Sequence, residues 1–137
     1  MYKRQGYANL QEPGRASEYL TKAFQLREHA SEREKLAIAG EYYLNLTGEL
    51  DKAAQTYQEE IENYPRESGG YNNLGLVFAA QGQYEKAAEI ARQTVRLAPG
   101  RPGSYGNPAN YALALQRFDE ARQIIHEAQA RKLDRCV

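Results

Sequence analysis

Apolar residues recur along this chain at spacings of three and four positions, which is the period of an amphipathic α-helix. In GRASEYLTKAFQL, for example, Ala16, Leu20 and Ala23 fall on one helical face. Good helix formers such as Ala, Leu, Glu, Gln, Lys and Arg dominate the composition. No run of alternating β-branched residues indicates a strand, and the prolines lie between or near the starts of the periodic segments. The pattern therefore predicts an all-α fold.

Three similar stretches recur at a constant interval: GELDKAA at Gly48, GQYEKAA at Gly82 and QRFDEAR at Gln116. A period of about 34 residues is typical of stacked two-helix units. We expect Gly48 and Gly82 to end the first helices of their units in a left-handed conformation and Pro65 and Pro99 to stop the second helices. We expect the small alanines where the two helices approach closely. The register pairs Ala53 with Ala87 and Ala121, Asp51 with Glu85 and Asp119, Pro65 with Pro99, and Tyr71 with Tyr105.

Gly75 lies inside an apolar run that otherwise reads as helix, where glycine costs about 1 kcal/mol relative to alanine. We interpret it as a packing glycine that lets the second helix approach the first, with Phe78 filling the space beside it. Ala109, its equivalent in the next unit, is also small, whereas Glu41 in the preceding unit breaks the rule. A hinge or a backbone contact to a ligand is the alternative.

The stretch from about Ser68 to Arg101 resembles the tetratricopeptide repeat. The resemblance implies a helix-turn-helix solenoid that winds as a right-handed superhelix, with about three repeats plus a partial N-terminal one. SERE at Ser31 to Glu34 reads as a capping box that opens one of these helices. The residues that match the family pattern are Tyr71, Leu74, Gly75, Phe78, Tyr84, Ala87 and Pro99.

On this basis we expect a single domain over 1–137, made of a partial repeat at 1–30 and repeats at about 31–67, 68–101 and 102–135. The stretch from Thr47 to Ala87 is also similar to repeat arrays that follow the catalytic domain in some bacterial serine/threonine kinases. No glycine-rich loop, HRD or DFG motif of a kinase is present. That similarity therefore implies only a scaffold part.

Pro108 is the poorest match to the repeat, because the best unit has Leu74 at this place. Proline inside a helix costs about 3 kcal/mol and is tolerated only in the first turn. We therefore expect the helix to begin near Asn107, with RPGSYG before it as a loop. A kinked helix is the alternative.

The 18 basic and 18 acidic residues cancel, so nothing favours nucleic acid or an anionic membrane as a partner. The only cysteine, Cys136, cannot form an internal disulfide, which suits a reducing compartment. The first residues have no apolar core of signal-peptide length, and no stretch is long enough to span a membrane. We expect a cytoplasmic protein.

Catalytic and metal-binding residues are not predicted. A nucleophile needs a base nearby, and the two histidines, His29 and His126, both fall on second-helix segments that are far apart in the predicted stack. No His, Cys, Asp or Glu cluster has metal-ligand spacing. The acids recur at helix starts, where they favour the helix dipole. We expect no enzymatic activity and no cofactor.

The resemblance implies that the first helix of each pair lines a concave binding surface. The three corresponding stretches, AIAGEYYLNL, YNNLGLVFAAQ and NPANYALALQ, contain no Lys or Arg, and Glu41 is their only charge. The basic clamp that some members use for a terminal carboxylate is therefore missing. A second family mode holds the backbone of an extended peptide with asparagine, which offers both a donor and an acceptor.

We predict a protein–protein interaction scaffold that binds an extended peptide or a partner helix in a nearly neutral concave groove. Asn73 and Asn107, which hold the same place in consecutive repeats, are the main predicted binding residues. Ordinary solvated or capping asparagines are the alternative. The remaining groove candidates are Asn72, Asn110, Asn45, Tyr42 and Leu76.

A second hypothesis concerns the ends of the array. Solenoids usually carry terminal repeats with polar outer faces, whereas the last helix offers apolar residues with no following helix to cover them. Self-association by stacking of these ends is the alternative function. The residues concerned are Ile124, Ile125, Ala128 and Leu133.

Overall fold

The computed structural model describes residues 13–132, which contain α-helices and no β-strand. The all-α prediction is confirmed. Leu133 and Cys136 lie outside the described residues. The helices are Pro13–Gln25 (α1), Glu32–Tyr42 (α2), Leu50–Asn63 (α3), Ser68–Ala80 (α4), Tyr84–Leu97 (α5), Gly103–Ala114 (α6) and Phe118–Ala130 (α7), with a 3-10 turn at Arg27–His29 and a π-helical turn at Tyr43–Thr47.

The chain divides into two compact units, of which unit 1 ends at Glu60 and unit 2 begins at Ile61. In unit 2, α4, α5, α6 and α7 pack each on the next, and α4 also contacts α6. The helix pairs α4–α5 and α6–α7 are therefore consecutive repeats whose first helices are neighbours.

In unit 1, α2 begins with the predicted capping box. The Ser31 hydroxyl accepts from the Glu34 amide at 3.3 Å, and the Ser31 amide donates to the Glu34 carboxylate at 3.0 Å. These hydrogen bonds from Ser31 lower the pKa of Glu34. Two donors that the helix itself leaves unpaired are thus satisfied.

The turns within the helix pairs require a left-handed residue. Gly48 has φ 71° and Gly82 has φ 75°, as predicted for helix C-termini. Gln116 adopts the same conformation with φ 60° although it carries a side chain. The fold therefore imposes the left-handed turn even where the chain supplies no glycine.

Both prolines that follow second helices also accept a hydrogen bond. The Tyr71 hydroxyl donates to the Pro65 carbonyl at 2.9 Å, and the Tyr105 hydroxyl donates to the Pro99 carbonyl at 2.6 Å. The two bonds occupy equivalent places in consecutive repeats. Each one ties the first helix of a repeat to the end of the preceding helix.

Pro108 does not delay the start of its helix, so the prediction of a start near Asn107 was wrong. α6 begins at Gly103 and carries Pro108 in its interior, buried. Tertiary contacts hold the early turn in place: Tyr105 is fully buried, and the Ser104 hydroxyl donates to the Ala98 carbonyl at 2.8 Å. These contacts offset the backbone hydrogen bond that proline cannot make.

Gly75 is a packing glycine, as predicted. It is buried, and a Cβ on it would lie 3.3 Å from Cγ2 of Ile90 on α5 and 3.5 Å from the ring of Tyr111 on α6. Phe78 packs beside it against a cluster that includes Ala87. Because Gly75 has no side chain, α4 can approach both α5 of its own repeat and α6 of the next one.

Candidate functional site

An uncharged stripe runs along the first helices of both repeats in unit 2. On α4 it consists of residues at spacings of three and four, which share one face of a helix, and α6 repeats the pattern at the equivalent positions. None of these residues is fully buried, and none is charged. We call this set the neutral stripe: Gly69, Asn73, Leu76 and Ala80 on α4, and Gly103, Asn107, Asn110 and Ala114 on α6.

Asn107 also has a structural contact. Its side-chain Nδ2 donates to Oδ1 of Asn72 at 3.0 Å, which joins α6 to α4. The bond leaves the Asn107 Oδ1 acceptor and one of its two amide hydrogens for a ligand. Asn73 makes no such bond within the described residues. The two asparagines predicted as equivalent therefore differ in their surroundings.

Leucine side chains border the asparagines. Leu76 is 36% exposed and lies in the neutral stripe, while Leu113 on α6 is 46% exposed. Asn110 is exposed at the position equivalent to Leu76. Unit 2 thus combines amide donors and acceptors with apolar surface, the mixture that suits a polypeptide backbone and its side chains.

The candidates of unit 1 have different surroundings. Tyr42 stacks on Phe24 with ring centroids 3.9 Å apart, so this ring belongs to the contact between α1 and α2. Asn45 is exposed in the π-helical turn. Unit 1 therefore offers no equivalent of the asparagine pattern among its described residues.

The self-association candidates are only partly available at the surface. Ile124 and Ile125 are half-buried, but Ala128 is fully buried, so this part of the prediction is corrected. The side of α7 that carries Ala128 is therefore not open at the surface. The sequence reasoning missed Phe118, which is 57% exposed at the start of α7. Its equivalence to Tyr84 and Leu50 in the repeat could have indicated it.

Charged residues of unit 2 pair on the second-helix side. Arg92 lies 3.1 Å from Glu120, and Arg117 lies 2.5 Å from Glu85, in both cases between consecutive repeats. Exposed pairs of this kind contribute roughly 0–1 kcal/mol each. None of these paired charges belongs to the neutral stripe.

Within residues 13–132, no group of three or more His, Cys, Asp or Glu side chains is placed to hold a metal ion. Among the helices of that range, none is both long and apolar enough to cross a membrane.

Comparison with known proteins identifies the repeat. Residues 68–101 match the family model for the tetratricopeptide repeat. A crystal structure of MamA is similar with a TM-score of 0.68 and 24% identity over 94% of this chain and 74% of that chain. The structure of "MamA RS-1 ArsTM double mutant" has a TM-score of 0.67 and 19% identity over 94% and 71%. Comparison with curated proteins gave no match. The predicted tetratricopeptide repeat at residues 68–101 and the all-α fold are confirmed.

Proposed function

We propose, from the premise that residues 68–101 are a tetratricopeptide repeat, that this protein is a non-enzymatic scaffold that binds a segment of another protein. The single observation that carries the proposal is the neutral stripe, in which solvent-accessible asparagine recurs at the same place in two neighbouring first helices. A peptide group needs one donor and one acceptor, and an asparagine side chain offers both. The bound segment is extended.

The Asn72–Asn107 bond supports a division of roles. Because Asn107 is held by Asn72, its carbonyl oxygen has a fixed direction, and less side-chain entropy is lost when a ligand binds. Asn73 and Asn110 provide further amide contacts on either side. Leu76 and Leu113 provide the apolar contact that amides alone cannot supply.

A photocrosslinking amino acid at position 76 tests this proposal, with the same residue at the exposed Glu89 of α5 as the matched control. We expect crosslinks from position 76 to one short segment of a partner, identified by mass spectrometry, and none of these from position 89. Asn73→Ala/Asn110→Ala should reduce them at least about tenfold, since each lost amide bond contributes roughly 1 kcal/mol.

Asn63→Ala is the control for folding and expression. Asn63 is exposed at the end of α3 and does not belong to the neutral stripe. Equal crosslinking from positions 76 and 89 would contradict the proposal. So would a double variant that folds normally and retains every crosslink.

Self-association through the outer side of the last repeat is a second candidate, favoured by one contact. Tyr84 at the start of α5 lies near Tyr111 of the next repeat, with ring centroids 6.5 Å apart. Phe118 holds the same place at the start of α7 and is largely exposed. Ile124 and Ile125 extend this surface. Light scattering across the micromolar range tests it: a monomer throughout would exclude stacking, whereas Phe118→Ser should abolish an observed dimer.

The remaining predictions are part of this proposal. Net charge zero supports a protein partner over nucleic acid or an anionic membrane. Cytoplasmic location, the repeat boundaries, and kinship with kinase-associated arrays stay predictions.

A further inference from the structure

A polar cavity of about 420 Å³ lies in unit 2, where the N-terminal ends of α4 and α6 meet the loop before α6. Its wall includes Ser68 and Gly69 from α4, Gly103 from α6 and Arg101 from the loop. No carboxylate belongs to this wall of described residues. The cavity lies at the N-terminal end of the neutral stripe but shares only its two glycines.

Several hydrogen-bond donors around the cavity lack acceptors. Neither α4 nor α6 has a side-chain cap at its N-terminus. The Ser68 and Gly69 amides of α4 are therefore open to a ligand. In α6 the Ser104 and Tyr105 amides donate to the carbonyls of Arg101 and Pro102, which leaves the Gly103 amide as the open donor of that turn. Asn72 uses its oxygen to accept from Asn107, which leaves its Nδ2 as a donor in the wall. Arg101 is exposed and forms no ion pair with another described residue. The local field is therefore positive.

Thr94 of α5 supplies an independent observation. It belongs to the cavity wall and is only 4% exposed, yet its hydroxyl has no hydrogen-bond partner within the described residues. Buried hydroxyl groups are nearly always paired, and an unpaired one requires an explanation. A ligand in the cavity is the partner that this position can offer.

We propose that the cavity binds a phosphoryl group. The donors come from four directions, namely two helix N-termini, the loop with Arg101, and α5 with Thr94. A tetrahedral phosphate can accept from all of them, whereas a planar carboxylate presents only two oxygens. Helix N-termini and arginine are the usual partners of phosphate in proteins. The group is carried by a small phosphate or by a phosphorylated side chain.

Titration with inorganic phosphate at constant ionic strength, followed by calorimetry and ³¹P NMR, tests the proposal. We expect Arg101→Gln to weaken binding about tenfold, because one charge-assisted contact is lost. The matched control Arg96→Gln removes the same charge from an exposed site on α5 outside the wall. It should change the affinity by less than about twofold, since Arg96 does not belong to the wall and exposed charges are screened. Absence of binding by the wild type, or equal weakening in both variants, would overturn the proposal.

Thr94→Val separates a ligand role from a structural role. Valine has the shape of threonine without the hydroxyl, so we expect phosphate binding to weaken several-fold while the thermal midpoint in phosphate-free buffer stays equal or rises. A lower midpoint with unchanged phosphate affinity would show that the hydroxyl is structural and would overturn the assignment.

O-phosphoserine in a short peptide, compared with the same peptide carrying serine, distinguishes the two sources of the group. Binding of the phosphopeptide at least about tenfold tighter than inorganic phosphate would assign the cavity to a phosphorylated side chain. Equal affinities would assign it to small phosphates. If neither ligand binds, the cavity is no phosphoryl site.

Discussion

The two units pack a first helix on a second helix around a glycine, but they fill the space differently. In unit 1, a Cβ on Gly40 would lie 2.5–2.9 Å from three ring atoms of Tyr57, which is 1% exposed. In unit 2, a Cβ on Gly75 would lie 3.3 Å from Ile90 and 3.5 Å from Tyr111. A buried ring cannot move aside, whereas a methyl contact at 3.3 Å needs only a small shift. The same architecture thus makes one glycine essential and the other only favourable.

The two glycines also stand at different distances along the chain from the turn that ends their helix. Eight positions separate Gly40 from Gly48, but seven separate Gly75 from Gly82. The π-helical turn at Tyr43–Thr47 takes up the additional residue, since a π-turn is wider by one residue than an α-turn. Gly40, not Glu41, therefore takes the place of Gly75. The repeat accepts an insertion when a local π-turn absorbs it.

The largest expected effect is that of Gly40→Ala, which should lower the free energy of unfolding by about 2–3 kcal/mol through overpacking against Tyr57. Urea unfolding followed by circular dichroism measures it. In the Tyr57→Leu background the same substitution should cost less than about 1 kcal/mol, because the clash is removed. An equal cost in both backgrounds would contradict the role given to the ring.

In unit 2 the space beside Gly75 holds the Tyr111 hydroxyl, which is buried without a hydrogen-bond partner among the described residues. Tyr111→Phe should therefore raise the free energy of unfolding by about 1 kcal/mol, because no bond is lost and a desolvation cost is removed. Thermal and urea unfolding at neutral pH check this. A loss of stability would indicate that the hydroxyl has a partner after all.

Tyr111→Phe should also change the way in which the stability of the protein depends on pH. Burial, aided by the neighbouring Tyr84, raises the pKa of Tyr111 to about 12 from its ordinary 10.0. The unfolded chain releases this proton at lower pH than the folded protein, so stability is full below pH 10.0 and falls as the pH rises towards about 12. Tyr111→Phe should reduce that fall relative to the wild type. Identical alkaline profiles would contradict the raised pKa.

The turns give a smaller contrast, between Gly48 in unit 1 and Gln116 in unit 2. Both have positive φ, but only the glutamine is sterically strained by it. Gln116→Gly should raise stability by about 0.5–1 kcal/mol, whereas Gly48→Ala should lower it by a similar amount. Urea midpoints of the two variants provide the comparison. Destabilisation by Gln116→Gly would mean that its side chain makes contacts that outweigh the strain.

Gly75→Ala should have the smallest effect, a change within about 1 kcal/mol of zero, because the gain in helix propensity opposes the tight contact with Ile90. It is the matched partner of Gly40→Ala. If the two alanine variants lose equal free energy of unfolding in the same urea series, Gly40 is packed no more tightly than Gly75.

Local chemistry made much of the fold predictable. The capping box, the left-handed glycines and the terminating prolines act through neighbours in sequence, and the structure has them as expected. The small alanines at 53, 87 and 121 are buried as expected, because their constant spacing marks the side of each second helix that packs. The start of α6 could not be predicted from local rules, because burial of Tyr105 outweighs the cost of Pro108. The sequence likewise placed asparagines on first helices, but not the bond that ties Asn107 to Asn72.

By itself, then, the sequence determined the helices, their regular repeat and the uncharged character of the first helices in unit 2, since periodicity, turn chemistry and charge are written position by position. Only the tertiary structure decided which glycine carries the packing in unit 1, because a π-turn shifts the register by one residue. It also decided which polar side chains form hydrogen bonds within the fold. Asn107 is paired while Thr94 is not, and that depends on which helices meet.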